Sequence, residues 1–231
     1  MALGWFAKSA TKRNETAASG VPDGPLWRFL STPPPSLDTP VAQLPLLAID
    51  LETTGLDAEN DHMLSAAWVP IDDGAVHLGG ARHLLIRGSE VGQSAVFHQL
   101  TDDELAGGME LADVLDEVLD AMAGRILLAH HASVEMTFLT NAIMRVHNIK
   151  VTFTSLDTML LARAIIAPGF DDEVRGDQLR LWRMRNRYNL PAYKSHEALT
   201  DAIACAELYL AEIAELGDAL TYKKLAKLAR A

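Results

Sequence analysis

Short apolar runs alternate along the chain with longer segments in which apolar residues recur at helical spacing. The runs 46–49 and 126–129 are continuously apolar, as expected of strands buried on both faces of a sheet. Between residues 111 and 122 apolar side chains recur every three or four positions, which predicts one buried helix face. This alternation of strand and helix patterns predicts an α/β protein.

The remaining pattern extends this prediction into a mixed sheet with helices on both faces. Strands are predicted at 63–71, 75–86 and 151–156, the first two joined by a turn at 72–74; helices are predicted at 133–147, 157–166, 176–187, 197–216 and near the C-terminus. Residues 1–43 are proline-rich and are predicted to form an irregular extension with an aromatic patch at 26–30. The main domain is expected over 44–217, with 218–231 as a C-terminal helix packed on it or trailing it.

Composition excludes several functional classes. The chain has 231 residues, a formal net charge of −11 and a single cysteine. A polybasic protein that binds nucleic acid through bulk charge is therefore excluded, although a local basic groove is not. One cysteine allows neither an intrachain disulfide nor a cysteine-based zinc site. No apolar stretch is long enough for a membrane span and no secretory signal is visible, so a cytoplasmic protein without membrane contact is expected.

The basic segment 177–194 stands out against this acidic background. It contains four arginines and a lysine, with Trp182 and Tyr188 between them and Asp177 as its only acid. Such a segment can hold a phosphate backbone and stack a base. It can equally be a surface helix whose arginines lie over apolar neighbours. The sequence leaves both interpretations open.

Acidic residues occur at positions where a structural residue would usually be apolar. Asp50 and Glu52 follow the first buried strand and, being two apart, point to the same face. Their position at the strand's carboxyl end is where α/β sheets commonly form their sites. Two adjacent like charges repel unless a cation lies between them. These two residues therefore indicate a metal site.

Two further acids and a histidine extend the candidate site. Glu135 lies in the first turn of the helix after strand 126–129, where the helix dipole alone also favours an acid. Asp201 is the only charged residue between 198 and 206, and such a carboxylate usually has a partner. His196 precedes that helix and is a candidate general base. Oxygen ligands without cysteine favour Mg²⁺ or Mn²⁺, and converging carboxylates favour a pair of ions.

Together these residues resemble the motifs of the DEDD exonuclease superfamily, in order and at fitting separations from about 46 to 216. Residues 50–56 resemble the first motif, 129–139 the second, and 196–202 the third motif of the His-containing branch. Segments 97–101 and 155–163 resemble further stretches of such proteins. This branch includes the proofreading epsilon subunit of bacterial DNA polymerase III. The second motif differs from the usual form, with Glu135 in place of aspartate and His131 in place of asparagine.

The resemblance implies a ribonuclease-H-like fold and a 3′–5′ exonuclease that releases nucleoside 5′-monophosphates from single-stranded nucleic acid, DNA being favoured, in replication or repair. Two Mg²⁺ or Mn²⁺ ions would be held by the four acids, and His196 would take a proton from the attacking water. The terminal nucleotide would contact Thr53, Leu56, His98 and His131. Residues 1–43 are a candidate docking segment for a protein partner.

Three alternatives remain open at this stage. The same site could trim RNA 3′ ends or degrade oligoribonucleotides, because either substrate is held through a 3′ terminus. The altered second motif is compatible with a catalytically impaired relative that only binds nucleic acid or a partner. The carboxylates could also belong to an unrelated metal hydrolase acting on small phosphate esters.

Overall fold

The structure, a computed structural model, describes residues 11–88, 102–167, 174–194, 197–217 and 219–229. Their six strands form one mixed sheet in the order β3-β2-β1-β5-β6, with β4 also paired to β2. The pairs β1–β5 and β5–β6 are parallel, and the others are antiparallel. The strands are β1 (Leu46–Thr53), β2 (Met63–Asp72), β3 (Ala75–Val76), β4 (Arg82–Leu85), β5 (Ile126–Ala129) and β6 (Ser155–Asp157).

Helices flank this sheet on both faces, which confirms the predicted fold class. They are α1 (Pro25–Ser31), α2 (Asp102–Ala106), α3 (Leu111–Met122), α4 (Ser133–His147), α5 (Thr158–Ile166), α6 (Leu181–Arg187), α7 (Ala198–Leu216) and α8 (Tyr222–Ala229). Single 3₁₀ turns lie at Val41–Gln43, Leu78–Gly80 and Gly176–Leu179. Within the described ranges, no helix combines the length and apolar character needed to cross a membrane.

Alternate residues of β1 belong to two different hydrophobic cores. Leu47, Ile49 and Leu51 pack into the core formed with α1, α3 and α4. Leu46 and Ala48 pack into the core formed with α5, α7 and α8. Because side chains alternate along a strand, Asp50 and Glu52 lie on the second face, against α7. The apolar pattern of β1 thus determines which helix its acids meet.

The N-terminal segment is more ordered than the sequence pattern predicts. Residues 11–18 are helical and α1 lies within the segment expected to be irregular. The Asn14 side chain bonds both the backbone N–H and the carbonyl of Thr152, each at 3.0 Å. Phe29 and Leu30 are buried in the first core. The apolar face of α1 packs on α3 and stabilises a helix that proline content alone would not suggest.

The predicted strand 75–86 is interrupted. Its residues form β3, a 3₁₀ turn and β4, and both strands pair with β2. Gly80 lies so close to Pro70 that a Cβ there would come within 2.8 Å of the proline ring. The Asp73–Gly74 turn has positive φ at both residues, as a two-residue hairpin requires. Because of this interruption, β3 pairs with the last residues of β2 and β4 pairs with an earlier part of the same strand.

A buried carboxyl group in α7 makes stability dependent on pH. Glu212 is fully buried, and neither its carboxyl oxygens nor the Tyr209 hydroxyl one turn earlier has a hydrogen-bond partner among the described residues. Burial raises the pKa of Glu212 from 4.5 to about 9, helped by the negative charges of Asp157 and Glu215. The folded protein therefore keeps this group protonated at neutral pH, whereas the unfolded chain ionises it.

We expect Glu212→Gln to stabilise the protein. Between about pH 4.5 and 9 the unfolded state binds fewer protons at this group, so the free energy of unfolding falls as pH rises. Glutamine mimics the neutral acid and removes this dependence, which should add about 1–3 kcal/mol at pH 7–8. Urea denaturation from pH 5 to 9 measures the free energy of unfolding at each pH, and Glu59→Gln, at an exposed position, is the control. Identical pH slopes for wild type and Glu212→Gln would contradict the prediction.

Candidate active site

The site begins at the carboxyl end of β1. Asp50 and Glu52 pair across the sheet with Ala67 and Ser65 of β2, whose small side chains leave room beside them. The pairing register shifts between Glu52 and Thr53, where β1 leaves the regular ladder. Glu52 is buried and Asp50 is half-buried. The strand therefore presents two acids in a region largely shielded from water.

The loop after β1 is closed by its own side chains. The Thr54 hydroxyl donates to Asp61 Oδ1 at 2.9 Å. The backbone N–H of Asp57 donates to the Asp61 carboxylate, and that of His62 donates to the Thr54 hydroxyl. A Cβ at Gly55 would clash with the Asp61 carboxylate, so a larger residue here would displace that carboxylate from its hydrogen bonds. This closed loop leaves Leu56 with 83% of its surface exposed beside the site.

Asp201 reaches the same place from α7. It lies in the first turn of this helix, four residues before Cys205 and eight before Tyr209, both of which pack on the sheet. The 3.6-residue period therefore turns Asp201 toward the sheet as well. Oxygen atoms of Asp50, Glu52 and Asp201 all lie within 4.8 Å of one another. Residues 150 positions apart in sequence thus form one acidic cluster.

Glu135 approaches this cluster from α4. It is buried in the first turn, and its Oε2 has no hydrogen-bond partner among the described residues. It is not one of the three residues whose oxygens lie within 4.8 Å of one another. Its charge is nevertheless the strongest of the neighbouring charges that raise the pKa of Asp50. Glu135 therefore lies beside the cluster, with one buried oxygen available.

Asp157 fixes the loop that leads to Glu135, and sequence analysis gave it no role. It is buried at the end of β6, and its carboxylate accepts hydrogen bonds from the backbone of His131, Ala132 and Met159 at 2.8–3.1 Å. One residue thus caps α5 and supports the left-handed backbone of His131, whose φ is 84°. The signal was an acid ending an apolar run directly before a helix.

The electrostatics of the cluster favour a bound cation. Burial, followed by the charges of Glu135, Glu52 and Asp201, raises the pKa of Asp50 well above its ordinary value. Burial and Asp201 raise the pKa of Glu52 to about 7. Burial raises the pKa of Glu135 to about 8, with a further contribution from Asp157. Like charges at this spacing repel one another, and a divalent cation would relieve that repulsion.

The donor set fits a hard divalent metal. Three carboxylates converge with oxygen atoms close enough to share one ion. The fourth carboxylate lies alongside, and one of its oxygens has no hydrogen-bond partner among the described residues. The free cysteine, Cys205, is buried and bonds the Thr158 hydroxyl at 3.6 Å, so it is not part of this donor set. Oxygen-only ligation is typical of Mg²⁺ and Mn²⁺.

Most of the predicted site residues that the structure describes lie close together. Asp50, Glu52 and Asp201 form the cluster, Glu135 borders it, and Leu56 and His131 line an adjoining groove with Asp201. Thr53 is buried and its hydroxyl donates to the Gly55 carbonyl at 2.6 Å, so it shapes the loop. His98 and His196 lie outside the described residues, and their assigned roles stay predictions.

Comparisons with known proteins agree with this geometry. A family model described as Exonuclease matches residues 47–209. The DNA polymerase III subunit epsilon of Treponema pallidum is 25% identical over 72% of this chain and 75% of its own length. A PolC-type DNA polymerase III of Thermotoga petrophila is 27% identical over 76% of this chain, which spans only 12% of that much longer protein.

Solved structures share the fold. Exonuclease X in complex with 5′ overhanging duplex DNA superposes with a TM-score of 0.60 at 22% identity, covering 79% of this chain and 98% of its own. E. coli exonuclease I with a dA16 oligonucleotide gives a TM-score of 0.60 at 15% identity, covering 73% of this chain and 40% of its own. The mixed sheet with its flanking helices is thus a ribonuclease-H-like exonuclease fold.

The chain belongs to the exonuclease family, since the family model covers most of its length. Its family and fold are those of the DEDD superfamily of 3′–5′ exonucleases, as the sequence motifs indicated, and its acidic cluster fits a metal site.

Proposed function

We propose that this protein is a metal-dependent 3′–5′ exonuclease that releases nucleoside 5′-monophosphates from single-stranded DNA. The observation that supports it most directly is the convergence of three carboxylates, from β1 and α7, within 4.8 Å at the carboxyl end of a central strand. DNA is favoured because one relative is a DNA polymerase III subunit and the other a PolC-type DNA polymerase III, and the two exonucleases above are bound to DNA. Replication or repair is the corresponding cellular setting.

The four acids are proposed to hold two Mg²⁺ or Mn²⁺ ions. Asp50, Glu52 and Asp201 supply the converging oxygens, and Glu135 offers an Oε2 atom that has no hydrogen-bond partner among the described residues. Glutamate is one methylene longer than the usual aspartate, and burial of the Glu135 carboxyl keeps that longer arm packed. Ions bound in such a pair activate the attacking water and stabilise the leaving 3′-oxygen.

The remaining residues would position the strand and move the proton. His196, two residues before α7 in sequence, would accept the proton of the attacking water. The exposed side chain of Leu56 offers an apolar surface to the terminal nucleotide, and Thr53 holds the loop that presents it. His131 borders the groove next to Asp201, and His98 is assigned to the same nucleotide. Docking of a partner on residues 1–43 stays a prediction.

Labelled oligonucleotides test the proposed activity. Single strands of DNA and RNA of one sequence, labelled at the 5′ end, are incubated with Mg²⁺, Mn²⁺ or EDTA. We expect a ladder that shortens from the 3′ end with either metal, and no shortening in EDTA. Faster shortening of RNA would replace the DNA assignment with RNA trimming. Intact strands of both kinds, in samples where metal binding is measured by calorimetry, would contradict the proposed activity and favour a binding protein.

A further inference from the structure

A groove continues from the acidic cluster along α6. It has a volume of about 750 Å³, and its lining includes Arg180, Trp182 and Tyr193. Asp201, Leu56 and His131 also line it, so the groove and the candidate active site share a wall. Clefts of about 300–1,000 Å³ are the usual size for small organic ligands, the size class of a nucleotide.

Two aromatic side chains in this groove are exposed although each is held in place. Trp182 is 49% exposed and Tyr193 is 39% exposed. The Arg183 guanidinium lies 5.0 Å from the Trp182 ring centroid, and that of Arg185 lies 4.4 Å from the Tyr193 ring centroid. The Tyr193 hydroxyl donates to Glu207 at 3.0 Å. Fixed aromatic surfaces next to a cleft are suited to stacking against a planar partner.

Arg180 and Arg185 both line the groove, but the arginines of the basic segment differ in their partners. Arg185 is buried and bonds the Ala204 and Pro191 carbonyls and Glu207, so it ties α6 to α7. Arg183 pairs with Asp177 and Arg187 with Glu215. Arg180 is exposed and lines the groove, and its side chain has no ion pair in the described part of the chain. It is the arginine best placed to meet a phosphate.

We propose that this α6 groove binds the part of the single strand upstream of the terminal nucleotide, with a base stacked on Trp182 and a phosphate near Arg180. This inference rests on the proposed exonuclease function and extends it to substrate positioning. Leu56 and His131, two predicted contacts of the terminal nucleotide, line this groove with Asp201, and Trp182 continues the lining onto α6. The nucleotides before the terminal one are therefore those proposed to reach Trp182. Stacking tolerates any base, so the groove would lengthen the footprint without selecting a sequence.

The test combines Trp182→Ala with abasic substrates. Single-stranded DNA of 12 nucleotides would carry one abasic position, placed in turn at each of the last five nucleotides. We expect Trp182→Ala to raise KM for the unmodified strand by about 5- to 100-fold, the usual effect of losing one base–aromatic stack. The kcat should stay within about threefold, because the carboxylates that hold the metals are untouched. Trp182→Phe should recover most of the loss.

Coupling between the abasic nucleotide and Trp182→Ala identifies the position of the stacked base. In the wild type, an abasic nucleotide at one upstream position should raise KM, and in Trp182→Ala that penalty should disappear at that position alone. Trp27→Ala, at an exposed tryptophan on α1 outside the groove, is the matched control and should leave KM unchanged. Coupling only at the terminal nucleotide, or at no position, would overturn the proposal.

Binding measurements separate this inference from the proposed function. Fluorescence anisotropy of the same strands in EDTA reports affinity without requiring hydrolysis. If the strands are not degraded but the coupling appears in Kd, the proposed function fails and the groove assignment stands. If the strands are degraded but Kd and KM show no coupling, the groove assignment fails alone. Melting temperatures of both tryptophan variants identify any loss caused by unfolding.

Discussion

Asp50→Asn should reduce exonuclease turnover by about 10³-fold or more. The substitution keeps the size of the side chain but removes the charge at the centre of the cluster, where Glu52, Asp201 and Glu135 all influence the Asp50 carboxyl. A bound metal is worth several kcal/mol of transition-state stabilisation, and each 1.4 kcal/mol is about a factor of ten in rate. Single-turnover cleavage of a labelled strand at saturating Mg²⁺ measures this loss.

Thermal unfolding distinguishes loss of a ligand from loss of structure. In EDTA, Asp50→Asn should unfold at a higher temperature than the wild type, because it removes a charge that is both shielded from water and repelled by its neighbours. Mn²⁺ should raise the melting temperature of the wild type and have a much smaller effect on the variant. Asp73→Asn, in the exposed turn between β2 and β3, is the control and should behave as wild type. Unchanged turnover in Asp50→Asn would refute the assigned metal site.

His196→Ala should lower kcat by about 10²- to 10⁴-fold, which is the usual contribution of a general base. His196 precedes α7, and Asp201 lies in the first turn of that helix, so the two residues are close in sequence. Metal-induced stabilisation should persist in this variant, unlike in Asp50→Asn, because the acids that hold the ions are intact. His77→Ala, at an exposed histidine near β3, serves as the control.

The pH profile provides a second test of His196. A base must be neutral to accept a proton, so wild-type kcat should rise through about pH 6–7 and then level off. In His196→Ala the residual rate should lack that rise or show it at a different pH. A wild-type rate for His196→Ala, or loss of its metal-induced stabilisation, would assign the residue a role other than general base.

Local sequence patterns determined those features that depend on a short stretch of chain. Alternation along 46–53 predicted that Asp50 and Glu52 share a face, and both lie in the same cluster. Helical spacing predicted the helix from 111 to 122, and apolar runs predicted β1 and β5. The motif order indicated the exonuclease family, which the family model confirms. The shared face of the two acids and the helix follow from residue periods of two and about 3.6, and the two strands follow from continuous apolar runs; a single segment displays each of these by itself. The family follows instead from the resemblance of the motifs.

Only the tertiary structure decided what depends on distant partners. Arg180 and Arg185 look alike in sequence, but α7 supplies two hydrogen-bond acceptors that bury Arg185, while no such partner reaches Arg180 in the described chain. Helix α1 forms within the segment expected to be irregular because α3 covers its apolar face. Asp157 supports the site because the loop after β5 and the first turn of α5 both donate backbone N–H groups to its carboxylate. The burial of a side chain and the charges around it depend on residues from the whole fold, so no local sequence pattern predicts them.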